Sequence, residues 1–204
     1  LVAEAEAAEE KVLTRLQEAV SCLQRARSAA QQRIMDAQRL QRQASTEHPN
    51  ERADLMASEN WLVATIESEI AEALFWQAWV YQQQADDLAL QRVALSAAAQ
   101  VGVREIDLQD IDVKVSEAQQ TGLKLAQEAL SALQQAQNQL RPRDRYGWVF
   151  RAAEGATRYL MAQLGETTQL DQAIEAYTEA AANAGSPHVA PHKQMLDYIR
   201  SISQ

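Results

Sequence analysis

Six Gly and four Pro are all the turn punctuation that 204 residues carry. A sheet protein of this length needs more, because tight turns between strands draw on Gly and Pro at defined positions. Val, Ile and Thr are sparse, while Ala, Leu, Gln, Glu and Arg, the strong helix formers, dominate. The expected fold is therefore all-α. Apolar residues make up 47% of the chain, which excludes wholesale disorder. Much of that share is Ala, so each apolar face is shallow and the core per residue is thin.

The apolar periodicity predicts long helices. Over residues 4–44, Leu13, Leu16, Val20, Leu23, Ala30, Ile34 and Ala37 keep a 3-4 alternation, with a lapse at Arg27. A stripe of that kind packs along a neighbouring helix at a shallow angle, as in bundles and coiled coils. Pro49 ends it, and His48 or Asn50 can cap the next helix. From 51 to 101, Leu55, Leu62, Ile66, Ile70, Leu74 and Tyr81 mark one face, and Trp61, Phe75, Trp76, Trp79 and Val80 widen it beyond half the girth. Such a helix is expected to be central, with neighbours on several sides. Hydrophobicity drops from Gln82 to Asp87, which leaves open a hairpin break near 84–87 with a new cap at Asp86 or Asp87. Gly102 closes the segment, Asp107 or Asp110 can cap the next, and a third long helix runs from Val113 to Leu140. Its small-residue stripe includes Ala118, Gly122, Ala129, Ala132 and Ala136, which permit close approach. Residues 1–102 thus form a long-helix region and 103–204 a second part, expected to make one continuous domain.

The last sixty or so residues change rhythm. Helices are expected from Tyr146 to Leu164, from Leu170 to Ala184 and from Pro191 to Ile202. Gly165 acts as a stop, Thr167 or Thr168 as a cap, and Gly-Ser-Pro at 185–187 as the second break. Connections this short favour antiparallel neighbours. Ala173, Tyr177, Ala180 and Pro187 resemble the small, aromatic, small and Pro pattern of the second helix of a tetratricopeptide repeat, with Pro187 about two residues later than in the family. Ala156 and Tyr159 resemble its first helix, although the connection from Tyr159 to Ala173 is longer than in the family. A fainter echo lies in Leu74 to Gly102, where Tyr81, Ala85-Asp86 and Ala97 fall near the family's aromatic, turn and small positions. The resemblance implies long antiparallel helices continuing into tetratricopeptide-like hairpins. It also implies helix packing through Ala156, Tyr159, Ala173, Tyr177 and Ala180, and the family's usual use as a surface for other proteins.

Charge and motifs narrow the use further. The net charge is −9, with 19 basic and 28 acidic residues spread over both halves, so the basic surface that nucleic-acid binding needs is missing. No run approaches the ~20 apolar residues of a membrane span. One cysteine, Cys22, cannot form an intramolecular disulfide and is expected to be packed. The chain opens on Leu1 rather than Met, as a processed or truncated chain would, so residence in the cytoplasm and export after removal of an N-terminal segment both stay open. Phosphate loops, Gly-x-Ser-x-Gly and Cys-x-x-Cys are absent from the sequence. His188 and His192 have helical metal-ligand spacing, but Pro187 and Pro191 interrupt it. The carboxylates Glu59, Glu67, Glu69 and Glu72 lack the Glu-x-x-His pairs of a di-iron bundle and are expected on a solvated face. No cofactor is expected, nor an enzyme.

Two clusters remain as binding candidates. Arg141, Arg143, Arg145, Arg151 and Arg158 concentrate positive charge, and with Trp148 they could receive an acidic segment of another protein or peptide, since the guanidinium fork binds carboxylates bidentately. Trp61, Trp76, Trp79, Tyr81 and Trp148 either fill the core or line a peptide groove. Trp76 and Trp79 share a face, so at least one is expected in the core. The tetratricopeptide resemblance implies a non-catalytic interaction scaffold or assembly factor. The alternative is a self-assembling structural protein that uses the Ala stripes of its first and third helices between subunits, and a third reading is an enzyme or cofactor carrier with an unrecognised pocket in the Trp-rich bundle.

Overall fold

The computed structural model describes residues 2–43, 49–100, 108–140, 147–184 and 189–202, and among these there is no strand. Six helices follow in chain order: α1 (Val2–Gln43), α2 (Pro49–Gln100), α3 (Gln109–Gln139), α4 (Gly147–Gln163), α5 (Gln169–Asn183) and α6 (Val189–Ile202). The expectations placed on His48, Gly102, Asp107, Pro187 and His188 fall outside the described residues. Among the described residues no helix is long and apolar enough to cross a membrane.

The axis of the molecule is α2, whose 52 residues span about 78 Å at 1.5 Å per residue. Pro49 is its first helical residue, a position where the missing N–H costs nothing. The helix runs unbroken through 84–87, so the hairpin break left open there does not occur and the echo of a repeat across Leu74 to Gly102 loses its turn. Locally the reason is that Gln82 and Ala85 are buried, and Gln82 Nε2 donates to the Asp86 carboxylate one turn on, at 3.0 Å. The polar dip is thus partly interior, and neither Gly nor Pro is present to break the helix. Asp86 and Asp87 are mid-helix rather than caps.

Side-chain pairs give the direction of α1. Glu9 accepts from Gln84, Arg27 meets Glu67 and Arg33 meets Glu59; numbers rise along α1 as they fall along α2, so the two are antiparallel. The apolar part of the same interface joins Leu16, Val20, Leu23, Ala30 and Ile34 to Val63, Ile66, Ile70 and Leu74. At the lapse in the α1 stripe, Arg27 Nη1 lies 3.3 Å from both carboxylate oxygens of Glu67. Glu67 is only 1% exposed, and Glu59 is buried too. The expectation of a single solvated acidic face is therefore corrected: Glu59 and Glu67 point inward at arginines of α1, and Glu69 and Glu72 are not buried. A carboxylate enters a core only with a partner, and here the partner is the residue that interrupted the stripe.

α3 returns along α2, as the Arg92–Asp112 ion pair and the contact of Gly122 with Ala78 show. It begins earlier than Val113, with Leu108 at the N-cap and Asp110 and Asp112 in the first turn, where negative charge meets the positive end of the helix dipole. Its buried face is almost entirely small: Ala118, Gly122, Ala126, Ala129, Ala132 and Ala136 beside Leu133. A Cβ on Gly122 would come within 2.9 Å of Leu164 and 3.2 Å of the Ala78 carbonyl oxygen, so only Gly lets α2, α3 and the end of α4 meet there. The Ala stripe of α3 is buried inside the chain.

α4 anchors the C-terminal part by inserting Phe150 into the core of the long helices and Leu160, Met161 and Leu164 against Ala78 and Ala126. It ends in a two-bond motif, Glu166 N–H to Met161 C=O and Gly165 N–H to Ala162 C=O. Gly165 sits at φ +109°, a conformation other residues rarely adopt. Thr168 occupies the N-cap position of α5 without a side-chain capping bond. α5 returns antiparallel to α4, and α6 packs over both, closing a cluster of Tyr159, Ala173, Tyr177, Leu196 and Ile199.

Candidate functional site

The residues that resemble a tetratricopeptide hairpin come together between α4, α5 and α6. Ala173 and Ala180 are fully buried, Tyr159 and Tyr177 are buried, and Ala156 is half-buried. The tightest contact is one the sequence did not single out. A Cβ added to Gly155 would lie 2.8 to 3.0 Å from ring atoms of Tyr177, so Gly155, not Ala156, makes room for that ring. A Gly inside a helical pattern, which costs about 1 kcal/mol against Ala, was the available signal. Burial pushes the Tyr177 hydroxyl up to about 12. Tyr159 is likewise raised to about 12, first by burial and then by a hydrogen bond with Tyr198, whose ring centroid is 6.3 Å away.

Of the basic cluster, Arg141, Arg143 and Arg145 lie outside the described residues. Arg151 and Arg158 face the α4–α5 hairpin. Glu154, buried in α4, accepts from Arg151 Nη1 at 2.7 Å and from Arg158 Nε at 2.9 Å. Arg151 Nε also meets Glu179 at 2.8 Å, and Arg158 donates to Gln169 and Gln172. The hydrogen bond with Glu154 is the main cause that raises the Arg151 pKa. Internal pairing accounts for both charges. Trp148 is half-buried, with its ring 5.5 Å from that of His192 on α6.

The outstanding feature lies on α2. Trp61, Trp76 and Trp79 are 43%, 44% and 42% exposed. The expectation that Trp76 or Trp79 would be in the core is corrected: α1 and α3 cover the faces that carry Ile66, Ile70, Leu74 and Ala78, and neither indole is among them. Trp61 and Trp79 are eighteen positions apart, five whole turns at 3.6 residues each, so they point the same way. Trp76 falls within the same stripe. Further along that face Leu90 and Val93, 68% and 65% exposed, follow Trp76 and Trp79 by fourteen positions each. The indoles hold one another: Trp76 meets Trp79 edge to face at 5.8 Å and Phe75 at 5.4 Å, geometries that the ring quadrupole favours. Glu72 Oε1 accepts from Trp76 Nε1 at 3.5 Å.

Where α4 meets this stripe a cleft of about 270 Å³ opens. Its walls are mostly apolar and include Ala71, Phe75 and Trp76 of α2, Leu133 of α3, and Val149 and Ala153 of α4, with Ser68, Glu72 and Thr157 as its polar lining. Thr157 is satisfied within the helix by donating to Ala153 C=O. That volume is below the ~300–1,000 Å³ of typical small-molecule sites and suits a single anchoring side chain. Among the described residues no three His, Cys, Asp or Glu side chains are grouped to hold a metal ion. Cys22, expected to be packed, is exposed and accepts a hydrogen bond from Arg25.

The chain matches no protein-family model, no curated protein and no solved structure.

Proposed function

We propose that this protein is a non-catalytic helical scaffold that docks another polypeptide along the aromatic face of α2. The observation that carries it is three half-open indoles in phase on one helix, beside an apolar cleft. Three Trp left at a surface are costly in water, and Trp is the residue most enriched where binding energy concentrates. The rigid edge-to-face packing of Trp76 on Trp79 and Phe75 lowers the ordering cost of binding. The tetratricopeptide-like character of 146–187 belongs to the same proposal. What supports it is the close α4–α5 crossing at Gly155 and Tyr177 with buried Ala173 and Ala180, and in this scheme the hairpin braces the cleft from the α4 side. Arg151 and Arg158 are engaged within the α4–α5 hairpin, and the proposed docking surface lies on α2 instead.

A photo-crosslinker placed at exposed Gln83, on the same stripe, tests the proposal in source cells. A discrete heteromeric adduct is expected, lost in the Trp76→Ala/Trp79→Ala variant while its circular dichroism stays helical. The same adduct pattern in the wild type and the variant defeats the proposal.

A further inference from the structure

We infer that the occupant of the α2 face is a cationic amphipathic helix, with an apolar side chain in the cleft and Lys or Arg beside the indoles. The inference rests on the docking proposal above and specifies its partner. From Ser58 to Gln91 the helix carries six acidic residues and no Lys, Arg or His. Glu59 and Glu67 turn inward to α1, while Glu69, Glu72, Asp86 and Asp87 stay accessible among the aromatic residues. The nearest basic residue along α2, Arg92, is already paired with Asp112.

Charge therefore separates the possible occupants. A second copy of this chain, laid face to face along α2 in either direction, would set these acids against the same acids with no cation on α2 between them, and like charges in a forming interface are penalised. An acidic peptide meets the same repulsion. A cationic segment pairs with Glu69 and Glu72, and its ammonium or guanidinium groups lie against electron-rich indole faces, which attract cations. The geometry favours a helix over an extended strand. The stripe is straight and has helical phase, it offers no sheet edge to extend, and an apolar residue repeated at i, i+3, i+4 and i+7 matches both the stripe and the cleft.

The test uses three synthetic helices about five turns long, identical in their Leu stripe and bearing Lys, Gln or Glu at the flanking positions, each titrated into the intact protein while Trp emission is followed. The Lys peptide is expected to bind, to weaken as salt rises, to lose about tenfold in affinity against Glu69→Gln/Glu72→Gln, and to lose at least about thirtyfold against Trp76→Ala/Trp79→Ala. Equal binding of the Lys, Gln and Glu peptides, all lost in the Trp variant, overturns the cationic partner and leaves the docking surface standing. Binding of the Lys peptide that is undiminished in the Trp variant is diffuse attraction to an acidic protein and overturns the inference. Failure of all three peptides overturns the inference, and it removes the docking proposal as well if the Gln83 crosslinker also gives no adduct. Association of the protein with itself that the Trp variant abolishes makes a second copy the occupant and overturns the inference.

Discussion

In the α4–α5–α6 unit the two tyrosines at the helix crossing go inside, while Tyr198 on α6 stays 53% exposed. Tyr159 and Tyr177 are buried, and one backbone is thinned to Gly155 so that a ring can lie on it. Along α2 the arrangement is reversed. Alanines of α3 make the close contact, an Arg–Glu pair enters the core, and three indoles stay at the surface. The contrast follows from shape. Three short helices around one centre have depth to cover a ring, whereas long rods touching along a line bury a narrow strip each, and small residues let that strip close. The three indoles lie on the third side of α2, where the described residues cover them only in part.

The sharpest way to break this contrast is through the core ion pair of the long helices. Glu67 is 1% exposed while the Arg27 side chain keeps 30% exposure. Arg27→Leu strands the carboxylate and is expected to cost about 3 kcal/mol in chemical denaturation, the low end for breaking a buried pair because one partner is partly solvated. Arg27→Leu/Glu67→Leu should recover most of that, since an apolar pair of similar size often does as well. If the single variant is neutral, the long helices do not depend on this pair and their interface is apolar in all but name.

Gly155 tests the other region. Gly155→Ala forces the Tyr177 ring to move and is expected to destabilise by about 1–3 kcal/mol, the range for overpacking. Gly147→Ala, where an added Cβ meets nothing within 4 Å, should be neutral or stabilising by about 0.4–1 kcal/mol through the unfolded chain. Equal effects at the two glycines would mean that the α4–α5 crossing is not the tight point of the fold.

These residues also show what is legible in the sequence. Most helix boundaries come from Gly, Pro and the 3-4 rhythm, because those signals act within a few residues: Pro49 separates α1 from α2 and Gly165 closes α4, while the continuity of α2 through 84–87 is left open. Ala173, Tyr177 and Ala180 are placed by spacing along one helix. The inward turn of Glu67 is not legible, since a buried charge depends on a partner forty positions away, and the lapse at Arg27 and the acid on α2 look like two unrelated defects. Whether the indoles fill the core or stay open is not legible for a similar reason. Periodicity shows that a face is apolar, and only the placement of α1, α3 and α4 shows whether anything covers it. Of the candidate site, the Trp residues are visible as a cluster, while the cleft, built from three helices, is not.

The most gradual effect separates the two regions by pH. Tyr159 and Tyr177 both ionise near pH 12 in the folded protein and near pH 10 when unfolded. Between those values the unfolded chain has released protons that the folded chain still holds, so stability is at its full value below pH 10 and falls as pH rises toward 12. The slope is at most about 1.4 kcal/mol per pH unit for Tyr177 and less for Tyr159, whose shift is shared with Tyr198 and screened by solvent. Tyr177→Phe should flatten the profile above pH 10, and an indole-specific probe of α2 should respond less steeply than hydrogen exchange in α5 wherever the C-terminal unit opens by itself. A profile with the same slope in Tyr177→Phe as in the wild type would place that hydroxyl in contact with water, and the unit would then not bury its aromatics in the sense that distinguishes it from α2.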